Sequence, residues 1–348
     1  MTDTVTSSGI QTPTSVPLVS VIIPAFNCGR FLREAIGSVL EQTESRLEVI
    51  VVDDGSTDDS LAIAKAMAGN DARVRVFSQG NSGRPAVARN AGIRQARGEF
   101  IAFLDGDDRY SRNRVASVAE VFQANPEIDF VFHDFQIMDE SGCTEILGFL
   151  ARHEYQKQAA KHLESRGGKT YLCKKSFYAF ISAELSGMNT NTVTVRAEAL
   201  RRQKEWFPED LTLMEDHDLW FRLVRDGNCA FLNLPLSAYR HYATSISSRV
   251  EQFRLDQFEA HRRNLERARP FLTGAQYASY RRKVADMKAS IGYRRLLSGD
   301  IVEARRAYWQ SLKIIPRGRI ISSLAKTYLP SRMGRWLRDW RAGLGTGG

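Results

Sequence analysis

The sequence predicts an α/β protein: a mostly parallel, Rossmann-like sheet flanked by helices, continued by an α-helical C-terminal extension. Three observations carry this. Short β-branched runs alternate with helical patterns from residue 18 to residue 104, two of those runs stop at clusters of aspartate, and beyond about residue 249 only helical patterning remains. Strand–helix alternation of this kind builds parallel sheets covered by helices, and ligands collect beyond the carboxyl ends of such strands.

Each element follows from its local sequence. Residues 18–23 form a β-branched run stopped by Pro24, as a strand buried on both faces would be. A helix is expected over 30–42. The run 47–52 ends in Asp53-Asp54-Gly55-Ser56-Thr57-Asp58, and a helix with acids in its first turn follows over 59–67. Residues 74–77 are a third strand. After the loop Asn81-Ser82-Gly83 come a helix over 84–96 and a strand over 100–104, which terminates in Asp105-Gly106-Asp107-Asp108. Residues 111–240 mix helices (112–124, 216–225) with short strands (128–132, 191–195) and a polar stretch over 154–175. Residues 293–316 place Gly299-Asp300 between two amphipathic segments, similar to a single tetratricopeptide-like hairpin.

At 348 residues and 43% apolar composition the chain can bury about two domains' worth of core, which excludes wholesale disorder. The formal charge of +9 is uneven: residues 250–348 hold 21 basic against 8 acidic residues, and residues 1–249 hold 28 against 32. An acidic body carries a basic tail. Cys28, Cys143, Cys173 and Cys229 show no C-x-x-C pair, so neither a disulfide framework nor a structural zinc is indicated, and a reducing cytoplasm fits. Residues 1–17 are rich in Ser and Thr and carry Pro13 and Pro17, which reads as a flexible leader and not a signal peptide. No run approaches the roughly 18 apolar residues of a membrane span, so membrane contact would be peripheral. The expected layout is a leader over 1–17, a catalytic domain over 18–248 and a basic helical region over 249–348.

Asp105, Asp107 and Asp108 repel one another unless a cation is shared or water dilutes their charge. Asp-x-Asp offers two oxygen groups to a hard cation such as Mg²⁺ or Mn²⁺, which keeps its other positions for water and phosphates. A solvated turn is the plain alternative. Asp53-Asp54-Gly55-Ser56 carries the same ambiguity between capping the next helix and accepting a nucleoside N–H.

Five segments in order then carry a resemblance: Val21-Ile22-Ile23-Pro24-Ala25-Phe26-Asn27, Val51-Val52-Asp53-Asp54-Gly55-Ser56-Thr57-Asp58, Ala88-Arg89-Asn90-Ala91-Gly92, Phe103-Leu104-Asp105-Gly106-Asp107-Asp108 and Met214-Glu215-Asp216-His217-Asp218-Leu219-Trp220-Phe221-Arg222-Leu223. Together they resemble the inverting family 2 glycosyltransferases with the GT-A fold, of the kind that build bacterial polysaccharides. The resemblance implies a nucleoside-diphosphate sugar donor held by Pro24, Phe26, Asn27, Asp54, Arg89, Asp105 and Arg240. Phe26 would stack on the base, Asp54 would accept its imide N–H and Asp105 would lie near the ribose. It also implies a Mn²⁺ or Mg²⁺ on Asp107, with His241 as a second metal ligand, and Asp216 as the general base that deprotonates the acceptor hydroxyl. Glu215 is the second choice for the base. Tyr239-Arg240-His241-Tyr242 with Ser245 and Ser247 is similar to the segment that closes over the donor diphosphate in that family. Phe26 stands where the family commonly has Tyr, which keeps a stacking ring and loses a hydroxyl. His217 replaces a frequent Tyr and is expected on the acceptor side.

Two rival readings follow from the same residues: a catalytically silent nucleotide-sugar-binding module, and a sugar nucleotidyltransferase, which normally carries a glycine-rich phosphate loop that Pro24-Ala25-Phe26-Asn27 is not. In the tail, Met333, Trp336, Leu337, Trp340 and Leu344 recur at helical spacing between Arg332, Arg335, Arg338 and Arg341. That pattern suits an interfacial helix on anionic lipid, with a helix docked on the catalytic domain as the alternative, and points away from nucleic acid. The acceptor expected is a glycan or a polyprenyl-linked saccharide at the inner membrane face.

Overall fold

The computed structural model of the chain describes residues 19–184, 186–242 and 250–328. The leader over 1–17, Ser245 and Ser247, the domain boundary at 248/249 and the terminal amphipathic segment from Met333 to Leu344 lie outside the described residues.

The first half alternates as expected: β1 (Val19–Ala25), α1 (Gly29–Leu40), β2 (Leu47–Asp53), α2 (Ser60–Asn70), β3 (Val74–Ser78), α3 (Pro85–Gln95) and β4 (Phe100–Phe103). There follow β5 (Arg109–Tyr110), α4 (Arg114–Ala124), β6 (Phe130–Met138), the short helices α5 (Phe149–Arg152) and α6 (Tyr155–Ala159), the hairpin β7 (Leu163–Ser165) and β8 (Thr170–Cys173), α7 (Phe177–Ala183), β9 (Val193–Arg196), α8 (Ala197–Arg201), α9 (Glu215–Asp226) and β10 (Cys229–Arg240). The C-terminal region is helical: α10 (Val250–Ala268), α11 (Gly274–Leu297), α12 (Ile301–Ile314) and α13 (Gly318–Lys326). No described helix is long and apolar enough to cross a membrane.

The strands join one sheet in the order β3-β2-β1-β4-β9-β6-β10-β8-β7, with β5 against β10. β3, β2, β1 and β4 run parallel, β9 is inserted antiparallel between β4 and β6, and β6 and β10 are again parallel. This GT-A-type sheet is apolar on both faces because successive side chains point to opposite sides. In β1, Ile22 packs in one buried cluster with Phe103 and Trp220, while Val21 and Ile23 pack in the other with Leu32 and Ile36. Each such fully buried side chain is worth about 1.5–3 kcal/mol.

Two strands depart from the sequence expectation for visible reasons. β6 runs to Met138 and not to residue 132, because His133 and Asp134 break the apolar pattern while being buried and satisfied. The Asp134 carboxylate accepts backbone N–H bonds from Phe135, Leu150 and Ala151. β10 escapes detection because Pro235 interrupts it; the ladder with β6 shifts register on either side of that residue. The polar stretch over 154–175 holds α6 and the β7–β8 hairpin. α11 and α12 form the expected helical hairpin, turned at Gly299 (φ +86°). The C-terminal helices are not a detached appendage: Phe258 and Leu265 of α10 and Tyr280 and Val284 of α11 share the buried cluster of Phe103 and Trp220.

Candidate active site

The carboxyl ends of β1, β2 and β4 carry the first group of candidate residues. Phe26 directly follows β1, is 45% exposed and presents its ring to solvent. Asn27 adopts φ 49°, a left-handed conformation that Asn tolerates, and its Oδ1 accepts the N–H of Thr57 at 2.8 Å. Pro24 pairs in register with Val52, so this end of β1 and the 53–58 turn form one surface. Asp54 is buried, and its carboxylate accepts bonds from Gln79 Nε2 (2.7 Å), Ser82 Oγ (2.8 Å) and the Ser82 N–H (3.2 Å). The side chain expected to meet the base thus also ties down the loop after β3.

The acidic turn after β4 is packed tightly against β1. A Cβ at Gly106 would lie 2.6 Å from Cys28 Sγ and 3.3 Å from the Pro24 carbonyl oxygen, so only glycine fits there. The three aspartates have separate partners. Asp105 accepts from Arg89 Nη2 at 2.6 Å, Asp107 from the Tyr242 hydroxyl at 2.8 Å, and Asp108 from the Arg240 N–H and Asn191 Nδ2, both at 2.8 Å. Asp108 is 1% exposed, and burial together with Asp107 and Asp105 pushes its carboxyl well above the usual range. Asp107 is pushed up too, by burial first and then by Asp105. This mutual repulsion is what a shared cation relieves, and the donor set suits a hard cation that takes few protein oxygens and completes its shell with water and phosphate. Among the described residues no three His, Cys, Asp or Glu side chains gather into a metal-binding cluster. His241 is exposed directly after β10, and its backbone N–H donates to the Met138 carbonyl.

Two arginines of the expected donor set are engaged by protein groups. Arg240 is 2% exposed, and its guanidinium donates to Glu34 Oε2 (2.6 Å) and to the carbonyls of Asp107 (2.8 Å), Glu140 (3.1 Å) and Asp139 (3.2 Å) while lying over the Phe31 ring. It clamps the acidic turn to α1. Arg89, buried on α3, bridges Asp105 and Glu215 of α9, leaving its Nε without a protein partner. A guanidinium fork of this kind joins the donor-side turn to the helix of the expected base.

Asp216 sits in the first turn of α9, which Met214 enters at φ 62°. That left-handed conformation is strained for a residue with a Cβ and is found where a turn is over-determined. The Asp216 carboxylate accepts from Thr190 Oγ1 (2.7 Å) and the His217 N–H (2.7 Å), and its Oδ1 lies 3.0 Å from His217 Nδ1. Burial opposes its ionisation, but His217, Arg89 and Thr190 outweigh it and hold the carboxyl well below the usual range. Glu215, by contrast, is raised to about 7 by burial, with Arg89 opposing and Asp216 adding to the rise. Of the two acids, Asp216 is the one kept ionised and partly open, at 14% side-chain exposure.

Four residues that the sequence reading missed complete the site. Thr190 and Asn191 are adjacent and buried; one reaches Asp216 and the other Asp108. The signal was the polar run Asn189-Thr190-Asn191-Thr192 directly before an apolar strand. Ser186 Oγ lies 2.9 Å from His217 Nε2, so the ring is held at one nitrogen by Ser186 and at the other by Asp216. Lys283 of α11 donates to the carbonyls of Ser182 (3.0 Å) and Glu184 (3.2 Å), anchoring the segment that carries Ser186. No sequence signal marked Lys283.

Residues 20–173 match the family described as glycosyl transferase family 2. The glycosyltransferase GlyG of Streptococcus pneumoniae is 40% identical over 124 residues, which is 36% of this chain and 41% of GlyG. The chain spans about a third to two fifths of the length of the first curated relatives it matches. Among solved structures, S. aureus TarS 1–349 in complex with UDP-GlcNAc superposes with a TM-score of 0.59 at 18% identity, covering 88% of this chain and 84% of that one. The mannosyltransferase PcManGT from Pyrobaculum calidifontis, in complex with GDP-Man and Mn²⁺, gives 0.51 at 17% identity, covering 93% and 84%.

Proposed function

We propose that this chain, whose residues 20–173 match glycosyl transferase family 2, is a metal-dependent inverting glycosyltransferase that moves a sugar from a nucleoside-diphosphate sugar to a hydroxyl of a glycan or polyprenyl-linked acceptor. The observation that carries this reading is the Arg89 bridge, which sets the helix of the ionised Asp216 beside the acidic turn of Asp105 and Asp107. A UDP-sugar is the favoured donor; its support is the fold shared with TarS, a protein crystallised with UDP-GlcNAc.

In this reading Phe26 stacks on the base and Asp54 accepts the imide N–H in exchange for a Ser82 bond. Pro24 and Asn27 shape the floor of the donor site, and Asp105 meets the ribose. Arg89 and Arg240 act on the donor side by orienting Asp105 and the acidic turn. Asp107 is the carboxylate that would hold Mn²⁺ or Mg²⁺, with His241 the imidazole nearest along the chain to Tyr242. When bound, the cation would neutralise charge on the departing diphosphate. Asp216 takes the proton of the acceptor hydroxyl as that oxygen bonds to the anomeric carbon; the carbon–diphosphate bond breaks on the opposite face, and the centre inverts. A polyprenyl-linked acceptor puts the protein in the cytoplasm, at the inner membrane face.

Incubation with a panel of UDP-sugars and GDP-mannose in Mn²⁺ tests the reading. Release of nucleoside diphosphate with transfer or hydrolysis of the sugar is expected. Release of pyrophosphate from sugar phosphate and nucleoside triphosphate would make the chain a nucleotidyltransferase, and binding of donor without any release would leave a binding module.

A further inference from the structure

The C-terminal helices expose what a folded helical hairpin would normally cover. Of the twelve large apolar side chains exposed among the described residues, seven lie between Tyr293 and Tyr328. The same stretch holds eight basic and two acidic residues. On α12 the buried face is Ala304, Ala307, Tyr308 and Ser311, and the opposite face presents Val302 (66% exposed), Arg306, Trp309 (53%) and Lys313 at intervals of 4, 3 and 4. This is one outward stripe in which apolar and basic side chains alternate. On the neighbouring α13, which packs against the buried face of α12 through Ile320 and Leu324, Ile321 is exposed, and Tyr328, exposed just beyond the helix, lies under the Arg305 guanidinium.

We propose that the outward face of α12 is a docking surface for an anionic lipid bilayer. The proposal rests on the functional reading only for the location of its acceptor. Charge selects the occupant. In a symmetric pairing with a second copy of this chain, the stripe would bring Arg306 and Lys313 against their own counterparts, whereas an anionic headgroup layer neutralises both. Arg306 has a surface partner in Glu303, a pair exposed enough to exchange for a phosphate at little cost, and Lys313 has no ion pair among the described residues. Tryptophan and tyrosine suit the boundary between headgroup and acyl chain, where one end of the ring is apolar and the other wet.

The test uses the full chain and vesicles of phosphatidylcholine with or without about a third phosphatidylglycerol. Wild type is expected to co-sediment with the anionic vesicles only, with binding falling at least tenfold in V302E/W309E, and falling in R306E/K313E to the level that high salt produces. Thermal unfolding and UDP binding in Mn²⁺, both unchanged, report that each variant is folded; absence of UDP binding in wild type would count against the glycosyltransferase reading and leave the vesicle result standing. Three outcomes would overturn the proposal. One is wild type that ignores anionic vesicles. Another is vesicle binding that V302E/W309E leaves intact, which would place the contact outside α12. The third is a stable dimer in sedimentation velocity that V302E/W309E dissociates without any lipid binding.

Discussion

In the proposed reading, the donor and acceptor sides of the site are built in opposite ways. On the donor side, Phe26, Asp54 and the acidic turn sit where β1, β2 and β4 end, each within a short contiguous motif. On the acceptor side, Asp216 is gripped by residues remote in the chain: Thr190 directly, Ser186 through His217, and Lys283 of α11 through the segment carrying Ser186. Strand ends in a parallel sheet converge by topology alone, so a donor site needs only local sequence. A general base needs a fixed orientation and a controlled charge, and in the proposed reading Thr190, His217 and Arg89 supply them.

The comparison yields substitutions of graded effect. The largest is expected on the donor side: Asp107→Asn should lower Mn²⁺-dependent release of nucleoside diphosphate by about 10²–10³-fold with unchanged unfolding temperature, read by steady-state assay. If metal dependence survives intact, Asp107 is not the ligand. Next comes Asp108, whose role here is structural. Asp108→Ala strands the Arg240 N–H and the Asn191 amide and should cost about 2–4 kcal/mol in denaturant unfolding, whereas Asp108→Asn keeps one acceptor for the Arg240 N–H, sets its own NH₂ against the Asn191 amide, and should cost about 1–2 kcal/mol.

On the acceptor side, His217→Phe keeps the ring and removes both polar contacts. It should lower turnover about tenfold at unchanged donor affinity and shift the acid limb of the pH–rate profile upward, since one of the groups holding Asp216 ionised is gone. The smallest effect is on stability against pH. The folded value of Glu215 is raised from its ordinary 4.5 to about 7, so the folded state binds more protons than the unfolded chain across that interval. Its contribution is therefore fully present below pH 4.5 and lost as pH rises through 7. Glu215→Gln should flatten the fall in unfolding temperature between those pH values, and an unchanged slope would assign the fall elsewhere.

The same contrast explains what could be read from the chain. The βαβ half was legible nearly element by element, because strands buried on both faces announce themselves as uninterrupted apolar runs. β10 and the end of β6 were not, since Pro235, His133 and Asp134 break the pattern and are accommodated only by partners distant in sequence. Asp54, Asp105, Asp107 and Asp216 stood out through their motifs. The reach of Arg240 to Glu34, of Arg89 across to Glu215, and of Thr190 to Asp216 depends on chain separations of 206, 126 and 26 residues, which no local pattern encodes.

Asp216→Asn is the most direct trial of the account. Donor affinity, by calorimetry with UDP and Mn²⁺, is to be measured beside turnover of the sugar nucleotide that wild type uses. The account predicts affinity within about twofold of wild type and turnover reduced by about 10²–10⁴-fold, the range for loss of a general base. Turnover close to wild type, with affinity intact, would contradict it and move the proton transfer to another group.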